Sequence, residues 1–206
     1  MGQKTNPIGF RLPVSKNWSA SWFSNTNGYG EILQKDLIIR SFFNKIKKEL
    51  MISRVKIERH QKKILVSIFS SRPSLVIKKG GTGIVEISEG LKKLLPTEEI
   101  SIDVKEIKSA DSDADSIANS IALQIEKRVP YVKAMKKALE LAAKSGVSGV
   151  KICCSGRLAG ADIARHETIS NGSVSLHTIR TRIAYATALA KTTYGIIGIK
   201  VWVAKK

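Results

Sequence analysis

Cysteine and acidic residues are both scarce in this chain of 206 residues. The two cysteines, Cys153 and Cys154, are adjacent, and neighbouring residues of a strand point to opposite faces, so no bridge between them is expected. Asp and Glu together number 17, against 35 Lys and Arg. The cysteine usage indicates a reducing compartment, and the shortage of acid leaves a formal net charge of +18.

Long apolar runs are absent as well, and this excludes other classes of protein. No stretch approaches the roughly 18 to 20 apolar residues of a membrane-spanning helix, and the first residues lack the apolar centre of a signal peptide. The three histidines have no metal-ligand spacing with the cysteines. We therefore expect no membrane span, no metal site and no signal peptide.

Positive charge is what the sequence has in abundance. The excess is spread over the beginning, the middle and the end of the chain rather than concentrated in a tail. Self-repulsion of this size contributes nothing to folding, so a polyanionic partner explains it better than a merely basic surface does. The charge therefore indicates a protein that binds nucleic acid.

The first half of the chain predicts an arm and then a small α+β domain. Residues 1–30 have no helical or strand period, which is typical of an extended arm. Residues 31–108 predict the order helix, strand, strand, glycine loop, helix and strand. The regular segments are, in that order, 31–50, 54–60, 63–69, 83–95 and 99–107.

The remaining residues, 109–206, predict a second domain of mixed helix and strand. The acidic segment 109–116 marks the boundary, and Ser112 with Asp115 resembles a capping box for the helix that follows. Pro130 opens a second helix. Four apolar runs then indicate strands, so we expect two helices packed on a mostly antiparallel four-stranded sheet. These runs cover 150–155, 161–169, 182–190 and 196–203.

The glycine loop in SLVIKKGGTGIVEI (74–87) does not have the sequence of a nucleotide-binding enzyme. A P-loop requires Lys-Ser or Lys-Thr after its glycines, and a dinucleotide fingerprint requires a third, correctly spaced glycine. Neither is present after Gly80 and Gly81. We therefore expect no enzyme, no catalytic residue and no cofactor.

The same loop does fit the pattern of a KH domain. KH domains resemble V-I-G-x-x-G-x-x-I-x-x-I, in which the loop joins two helices and clamps a nucleic-acid backbone. Residues 76–87 keep this register, with Lys78 in place of the first glycine. Helix and two strands come first, which matches KH type II; a purely structural turn is the alternative. The candidate RNA-binding residues are Arg72, Lys78, Lys79, Gly80 and Gly81.

Two further segments carry exposed cations in patterns that suit phosphate. The helix PYVKAMKKALELAAK (130–144) has an apolar stripe on one side and lysines on the other; a solvated surface is the alternative. Its candidate RNA-binding residues, with two upstream, are Lys127, Arg128, Lys133, Lys136 and Lys137. The turn 155–165 combines glycines with Arg157 and Arg165, which can hold phosphates bidentately.

Three stretches together carry a resemblance that spans nearly the whole chain. They are MGQK…P.GFRL, ERH…ILVSIFSSRPSLVIKKGG and SGRLAGADIAR…GSVSLHTIRTRIAYATALAKTTYGIIGIKVWV. In these the chain resembles the family of small-subunit ribosomal protein three, of bacterial or organellar type. The resemblance implies an arm (1–30), a type II KH domain (31–108) and a C-terminal α/β domain (109–206).

The resemblance also implies a function. It implies a structural component of the head of the small ribosomal subunit that binds the 3′ domain of the rRNA, lines the mRNA entrance, and assists mRNA positioning and unwinding. Implied partners are rRNA, mRNA and small-subunit proteins two, four, five, ten and fourteen. The implied location is on the ribosome, in the cytoplasm or in an organellar matrix or stroma. A free-standing KH-type RNA chaperone or regulator is the alternative.

Particular residues follow from the resemblance. In the family the basic helix faces incoming mRNA, through an aromatic residue, two arginines and Ala-Met-Lys. Lys133 and Lys136 match cations of that run, whereas Val132 replaces one. Further candidates for rRNA binding are Lys4, Arg11, Lys16, Arg157, Arg165, Arg180 and Arg182.

Overall fold

The computed structural model describes residues 4–12, 14–26, 28–47, 49–60, 63–96 and 99–205. In chain order its helices and strands are α1 (Pro7–Phe10), β1 (Ala20–Ser21), α2 (Tyr29–Ile46), β2 (Ile52–His60), β3 (Lys63–Ser70), α3 (Pro73–Ile77), α4 (Thr82–Leu94), β4 (Glu99–Glu106), α5 (Ala114–Glu126), α6 (Tyr131–Lys144), β5 (Gly149–Gly156), β6 (Arg165–Gly172), β7 (Arg182–Thr192) and β8 (Gly195–Lys205).

The chain divides into two compact units, each with its own hydrophobic core. One unit is Trp18–Lys108, called here the KH unit. The other, the C-terminal unit, combines the described residues up to Asn17 with those from Ser109 onward. The segment predicted as one arm, 1–30, is thus shared between the two units, and its first part packs with residues more than 150 positions away, as the hydrogen bonds of Arg11 show.

The KH unit contains a sheet with strand order β1-β2-β3-β4. β2 and β3 pair in antiparallel fashion, whereas β3 and β4 are parallel, so the chain must cross over between them, which it does through α3 and α4. Apolar side chains of the sheet and helices, among them Ile39, Val66 and Leu91, form the core. The predicted helix–strand order is confirmed.

The end of α2 differs from the prediction. The sequence extends the helical period to Leu50, but the helix ends at Ile46. Met51 has a φ of 49°, a left-handed turn that redirects the chain into β2. Leu50 still packs against the core, so its apolar character reflects burial in a turn rather than another helical residue.

The C-terminal unit contains a fully antiparallel sheet with strand order β6-β5-β8-β7. Alternate residues of β5 (Val150, Ile152 and Cys154) join α5 and α6 in one core, because strand side chains alternate between faces. Two helices on a four-stranded antiparallel sheet confirm the predicted fold class of this half. The strand predicted at 161–169 instead begins at Arg165, because a short 3₁₀ turn at residues 158–160 is followed by an irregular segment at 161–164.

The start of α5 also differs from the prediction by one residue. Asp113, not Ser112, is the N-cap, and its carboxylate accepts a hydrogen bond from the Ser116 amide at 3.3 Å. Ser112 is the last residue of a 3₁₀ turn over 110–112. Its backbone is therefore part of that turn, and the extended N-cap conformation falls on Asp113. The acidic segment caps the helix as expected, through a different side chain.

Candidate RNA-binding surfaces

The glycine loop of the KH unit turns through backbone conformations that favour glycine. Gly80 and Gly81 have φ values of 68° and 80°, in the left-handed region. A Cβ added at either position would meet no atom within 4 Å, so the main chain here is open to an approaching ligand. α4 begins immediately afterwards at Thr82, and its first amides are therefore close to the open segment.

Gly83 has a different role, which the sequence pattern alone did not reveal. A Cβ at this position would lie 2.3 Å from the Val76 carbonyl oxygen, far inside van der Waals contact. α3 and α4 can therefore cross this closely only with glycine at position 83. In the KH pattern this position is unrestricted, so only the packing of the two helices identifies the residue.

Lys78 occupies a backbone conformation that glycine normally takes. Its φ of 56° and ψ of −179° lie in a region that is essentially restricted to glycine. The side chain folds back to form an ion pair with Glu86 of α4, and both groups remain largely exposed. Arg72, just before α3, is exposed as well, whereas the side chain of Lys79 lies outside the described part of the chain.

The basic helix α6 has two chemically distinct faces. Ala134, Met135, Ala138 and Ala142 are buried against the sheet, and small alanines allow the helix to approach closely. The opposite face exposes the lysines predicted to bind RNA, joined by a further lysine in the last turn; these are Lys133, Lys136, Lys137 and Lys144. They extend along about 16 Å of helix, at about 1.5 Å per residue.

The N-terminal end of α6 is positioned by specific contacts. The Tyr131 hydroxyl donates a hydrogen bond to Glu167 Oε1 of β6 at 2.9 Å, and this bond raises the pKa of Tyr131. Upstream, Lys127 and Arg128 are exposed in the tight connection from α5. Arg128 has a φ of 63°, and its amide donates to the Ile125 carbonyl at 2.9 Å. The predicted cations before the helix thus lie in its entry turn.

Arg11, predicted to bind rRNA, is instead a structural residue. Its side chain is fully buried, and its guanidinium donates to backbone carbonyls at 2.8–3.3 Å; the acceptors belong to Pro7, Ser175, Leu176, Thr178 and Thr181. A guanidinium enclosed in this way has no face for a phosphate. The assignment of Arg11 to RNA is therefore wrong, and the residue fixes the arm to the loop between β6 and β7.

Comparison with known proteins covers both units of the chain. The family description "Ribosomal protein S3, C-terminal domain" matches residues 121–203, and "KH domain" matches residues 37–112. Small ribosomal subunit protein uS3 of Helicobacter pylori strain P12 is 47% identical over 100% of this chain and 87% of its own length. Those of Clostridium kluyveri and Myxococcus xanthus are each 45% identical over 100% of this chain and 92% of their own.

The chain belongs to the ribosomal protein S3 family. The predicted family and the prediction of a ribosomal protein rather than an enzyme are confirmed by these relatives. The KH match contains the glycine loop, and the C-terminal match contains α6 and the turn 155–165. The RNA-binding roles of the other candidate residues remain predictions.

Three predicted residues of this family member meet at one cavity of the C-terminal unit. Lys16, Arg180 and Arg182 line a cavity of about 670 Å³, although Lys16 is far from the other two in sequence. Arg180 and Arg182 are exposed. The structure thus brings together a basic cluster from the arm and the start of β7, which is the geometry that a phosphate backbone requires.

The turn 155–165 separates its two arginines by environment. Arg157 donates to the Ala161 carbonyl at 3.0 Å and to Asp162 at 3.1 Å, and its guanidinium lies 5.7 Å from the Tyr194 ring centroid. These contacts use much of its donor capacity to hold the turn. Arg165 is exposed at the start of β6, so it is the more accessible of the two for phosphate.

Two lysines that the sequence patterns did not single out lie beside the predicted Lys4. Lys4, Lys151 and Lys200 line a second cavity of the C-terminal unit. Lys151 alternates with the core residues Val150 and Ile152 of β5, so strand alternation alone places it on the opposite face. The convergence itself could not be predicted, because it depends on β5, β8 and the arm lying side by side.

The described part of the chain contains neither a metal-ligand cluster nor a helix suited to spanning a membrane. No group of three or more His, Cys, Asp or Glu side chains is placed to hold a metal ion. No helix there combines the length and the apolarity needed to cross a bilayer.

Proposed function

We propose that this protein is a structural component of the small ribosomal subunit that binds rRNA of the 3′ domain and lines the mRNA entrance. The relatives carry the name of a small ribosomal subunit protein, and the KH unit and the net charge of +18 suit RNA. Its proposed partners are rRNA, mRNA and the small-subunit proteins two, four, five, ten and fourteen. Its proposed location is on the ribosome.

The observation that carries the mRNA role is the lysine face of α6. Lys133, Lys136 and Lys137 are exposed on a helix whose other face is fixed in the core. A rigid row of cations can hold a phosphate backbone without ordering cost in the helix itself. Val132, in place of a family cation, is half-buried, so the row has one charge fewer than the family pattern.

The mRNA role is tested by removing two of these charges. Ribosomes carrying Lys133→Ala together with Lys136→Ala should assemble normally but translate messages with a stable hairpin more slowly. The double variant Lys92→Ala and Lys93→Ala, in the exposed last turn of α4, removes the same charge from the KH unit and is the control. Equal rates for both variants and the unmodified protein on hairpin messages would contradict the role.

We further propose that the KH loop has kept its structural role while its grip on RNA has weakened. The first glycine of the pattern is Lys78, and the cation is paired with Glu86 rather than free for phosphate. Replacing Lys78→Gly should therefore strengthen binding of single-stranded RNA by the purified protein. Unchanged affinity would show that this loop does not clamp RNA here.

Binding of rRNA is tested by its salt dependence and by fractionation. Six to ten phosphate contacts predict a loss of about 10³ to 10⁵ in affinity between 50 and 200 mM salt. The tagged protein should also sediment quantitatively with small subunits. A large pool of the protein sedimenting apart from ribosomes would instead favour the free-standing RNA chaperone.

A further inference from the structure

The cavity beside Lys4 lies on the face of the C-terminal sheet opposite α5 and α6, and it is called here the outer cavity. Its volume is about 350 Å³, within the range of small-ligand sites. Residues of all four strands and of the arm line it. The strand residues concerned alternate with core positions of the same strands, so the sheet itself holds them rigidly.

The outer cavity has an unbalanced positive charge. Lys4, Lys151 and Lys200 line it, and the lining residues that the structure describes include no Asp or Glu. Burial lowers the pKa of Lys151, and the neighbouring Lys4 lowers it further. The ammonium groups of Lys4 and Lys151 repel one another, and Lys200 adds a third positive charge to the lining. An anion bound in the cavity would relieve the repulsion between Lys4 and Lys151.

Aromatic rings form the floor of the same cavity. Tyr185 and Trp202 are direct partners across β7 and β8, with ring centroids 5.4 Å apart. Trp202 is only 8% exposed, and Lys151 Nζ lies 5.8 Å from its ring centroid. Tyr185 is less buried, so its ring is the one that a planar group can stack on. His166 and Thr168 add hydrogen-bonding groups at the β6 side.

We propose that the outer cavity binds one unpaired nucleotide of an RNA strand, with its phosphate at the three lysines and its base on Tyr185. The proposal rests on the proposed RNA-binding function and adds a site separate from α6 and the KH loop. Cations beside an aromatic platform are the usual means of holding single-stranded nucleic acid. A duplex does not fit this arrangement, since its bases are already stacked. An acidic peptide would use the lysines but leave the ring without a partner.

The proposal is tested first by affinity, with the full-length protein and a fluorescent single-stranded oligouridylate. Lys151→Gln with Lys200→Gln should weaken binding by about tenfold. Lys92→Gln with Lys93→Gln, in the KH unit, removes the same charge and should weaken it by less than about twofold. Tyr185→Leu keeps an apolar side chain but loses the π face, and should weaken binding by about fivefold or more.

A second measurement places the ligand in the cavity. Cys153 lines it and is half-buried, whereas Cys154 is fully buried. Saturating oligouridylate should slow alkylation of Cys153 by iodoacetamide at least about fivefold relative to free protein, and Lys151→Gln with Lys200→Gln should abolish this protection. Uridine monophosphate and inorganic phosphate distinguish nucleotide from simple anion: only the former should compete when Tyr185 is intact.

Specific outcomes would overturn the proposal. Equal oligouridylate affinity for the outer-cavity and the KH-unit lysine variants would do so. Protection of Cys153 by polyglutamate as effective as that by oligouridylate would point to an acidic protein instead. Failure of this site is distinguishable from failure of the proposed function. A protein that binds rRNA with steep salt dependence, while its outer-cavity variants bind oligouridylate normally, loses only the outer-cavity site.

Discussion

At the scale of single residues, Lys78 shows how a substitution can change chemistry while the backbone keeps its shape. The loop retains the conformation that the missing glycine would take, at a cost of about 1 to 3 kcal/mol for a residue with a Cβ. Gly80, Gly81 and Gly83 remain around it, and α3 and α4 approach each other closely at Gly83, where a Cβ would lie 2.3 Å from the Val76 carbonyl oxygen. The packing of two helices therefore imposes the strain on Lys78.

This strain predicts that Lys78→Gly stabilises the protein. The relief exceeds both the extra freedom that glycine gains in the unfolded chain, about 0.4 to 1 kcal/mol, and the loss of an exposed ion pair. We expect the free energy of unfolding of the KH unit to rise by about 1 kcal/mol in urea denaturation. Lys78→Ala is the matched control: it removes the same side chain but keeps the strain, so it should not stabilise. A gain in the alanine variant as large as in the glycine variant would contradict this explanation.

The adjacent cysteines differ sharply because the strand places them on opposite faces. Cys154 is buried in the core, and burial raises the pKa of its thiol to about 12. In the unfolded chain a thiol ionises near pH 8.5. Above that pH the folded state holds the proton that the unfolded state releases, so stability falls as pH rises.

The raised pKa of Cys154 predicts that the free energy of unfolding depends more steeply on pH in the unmodified protein than in the variant Cys154→Ala. The variant lacks the thiol that loses its proton on unfolding, so between about pH 8.5 and 11 the unmodified protein should lose up to about 1.4 kcal/mol per pH unit more than the variant. The measurement is urea denaturation at several pH values, with Cys153→Ala as control. A difference in free energy of unfolding that stays constant over this range would contradict the burial of Cys154.

At the scale of elements, the periodic segments were predictable and their ends were not. Hydrophobic period, with the acidic segment 109–116 and Pro130 as helix starts, identified α4, β2, β3, α5 and α6, because each buries one face against a core. The ends of α2 and the start of β6 were misplaced, since turns at Met51 and at residues 158–160 interrupt the apolar pattern. Turns that depend on tertiary packing have no hydrophobic period, so the sequence pattern does not reveal where they lie.

The cap of α5 provides a test at this scale. Asp113→Ala removes the hydrogen bond to the Ser116 amide, which should lower the free energy of unfolding of the C-terminal unit by about 1 kcal/mol. Ser112→Ala, at the position predicted from sequence, is the control and should change it by less than half as much. Urea denaturation followed by circular dichroism measures both. The opposite ranking of the two variants would restore Ser112 as the cap.

At the scale of the whole molecule, the chain is two units, and the C-terminal one is built from both ends of the sequence. Arg11 belongs to the first 17 residues, yet it satisfies carbonyls between Ser175 and Thr181. A fragment that begins at Ser109 would leave these carbonyls without their donor. The arm is therefore part of the fold of this unit and not only a basic extension.

This dependence predicts that a fragment of residues 109–206 is destabilised and is rescued in trans. Charged hydrogen bonds contribute about 1.5 to 3 kcal/mol each where they form fully, so the fragment should be less stable by about 2 kcal/mol or more. A peptide of residues 1–17 should raise its melting temperature, and the same peptide with Arg11→Lys should raise it much less, because lysine lacks the planar fork. Equal rescue by the two peptides would contradict the role of Arg11.

By itself, the sequence determined the class, the order of elements and the family. Charge, hydrophobic period and short motifs are local properties, so each can be recognised from the order of the residues alone. Only the tertiary structure decided which cations face solvent and which are enclosed, as Arg11, Arg157 and Lys151 show. Whether a cationic side chain is exposed or buried depends on the residues that the fold places next to it, and those neighbours lie far away in sequence.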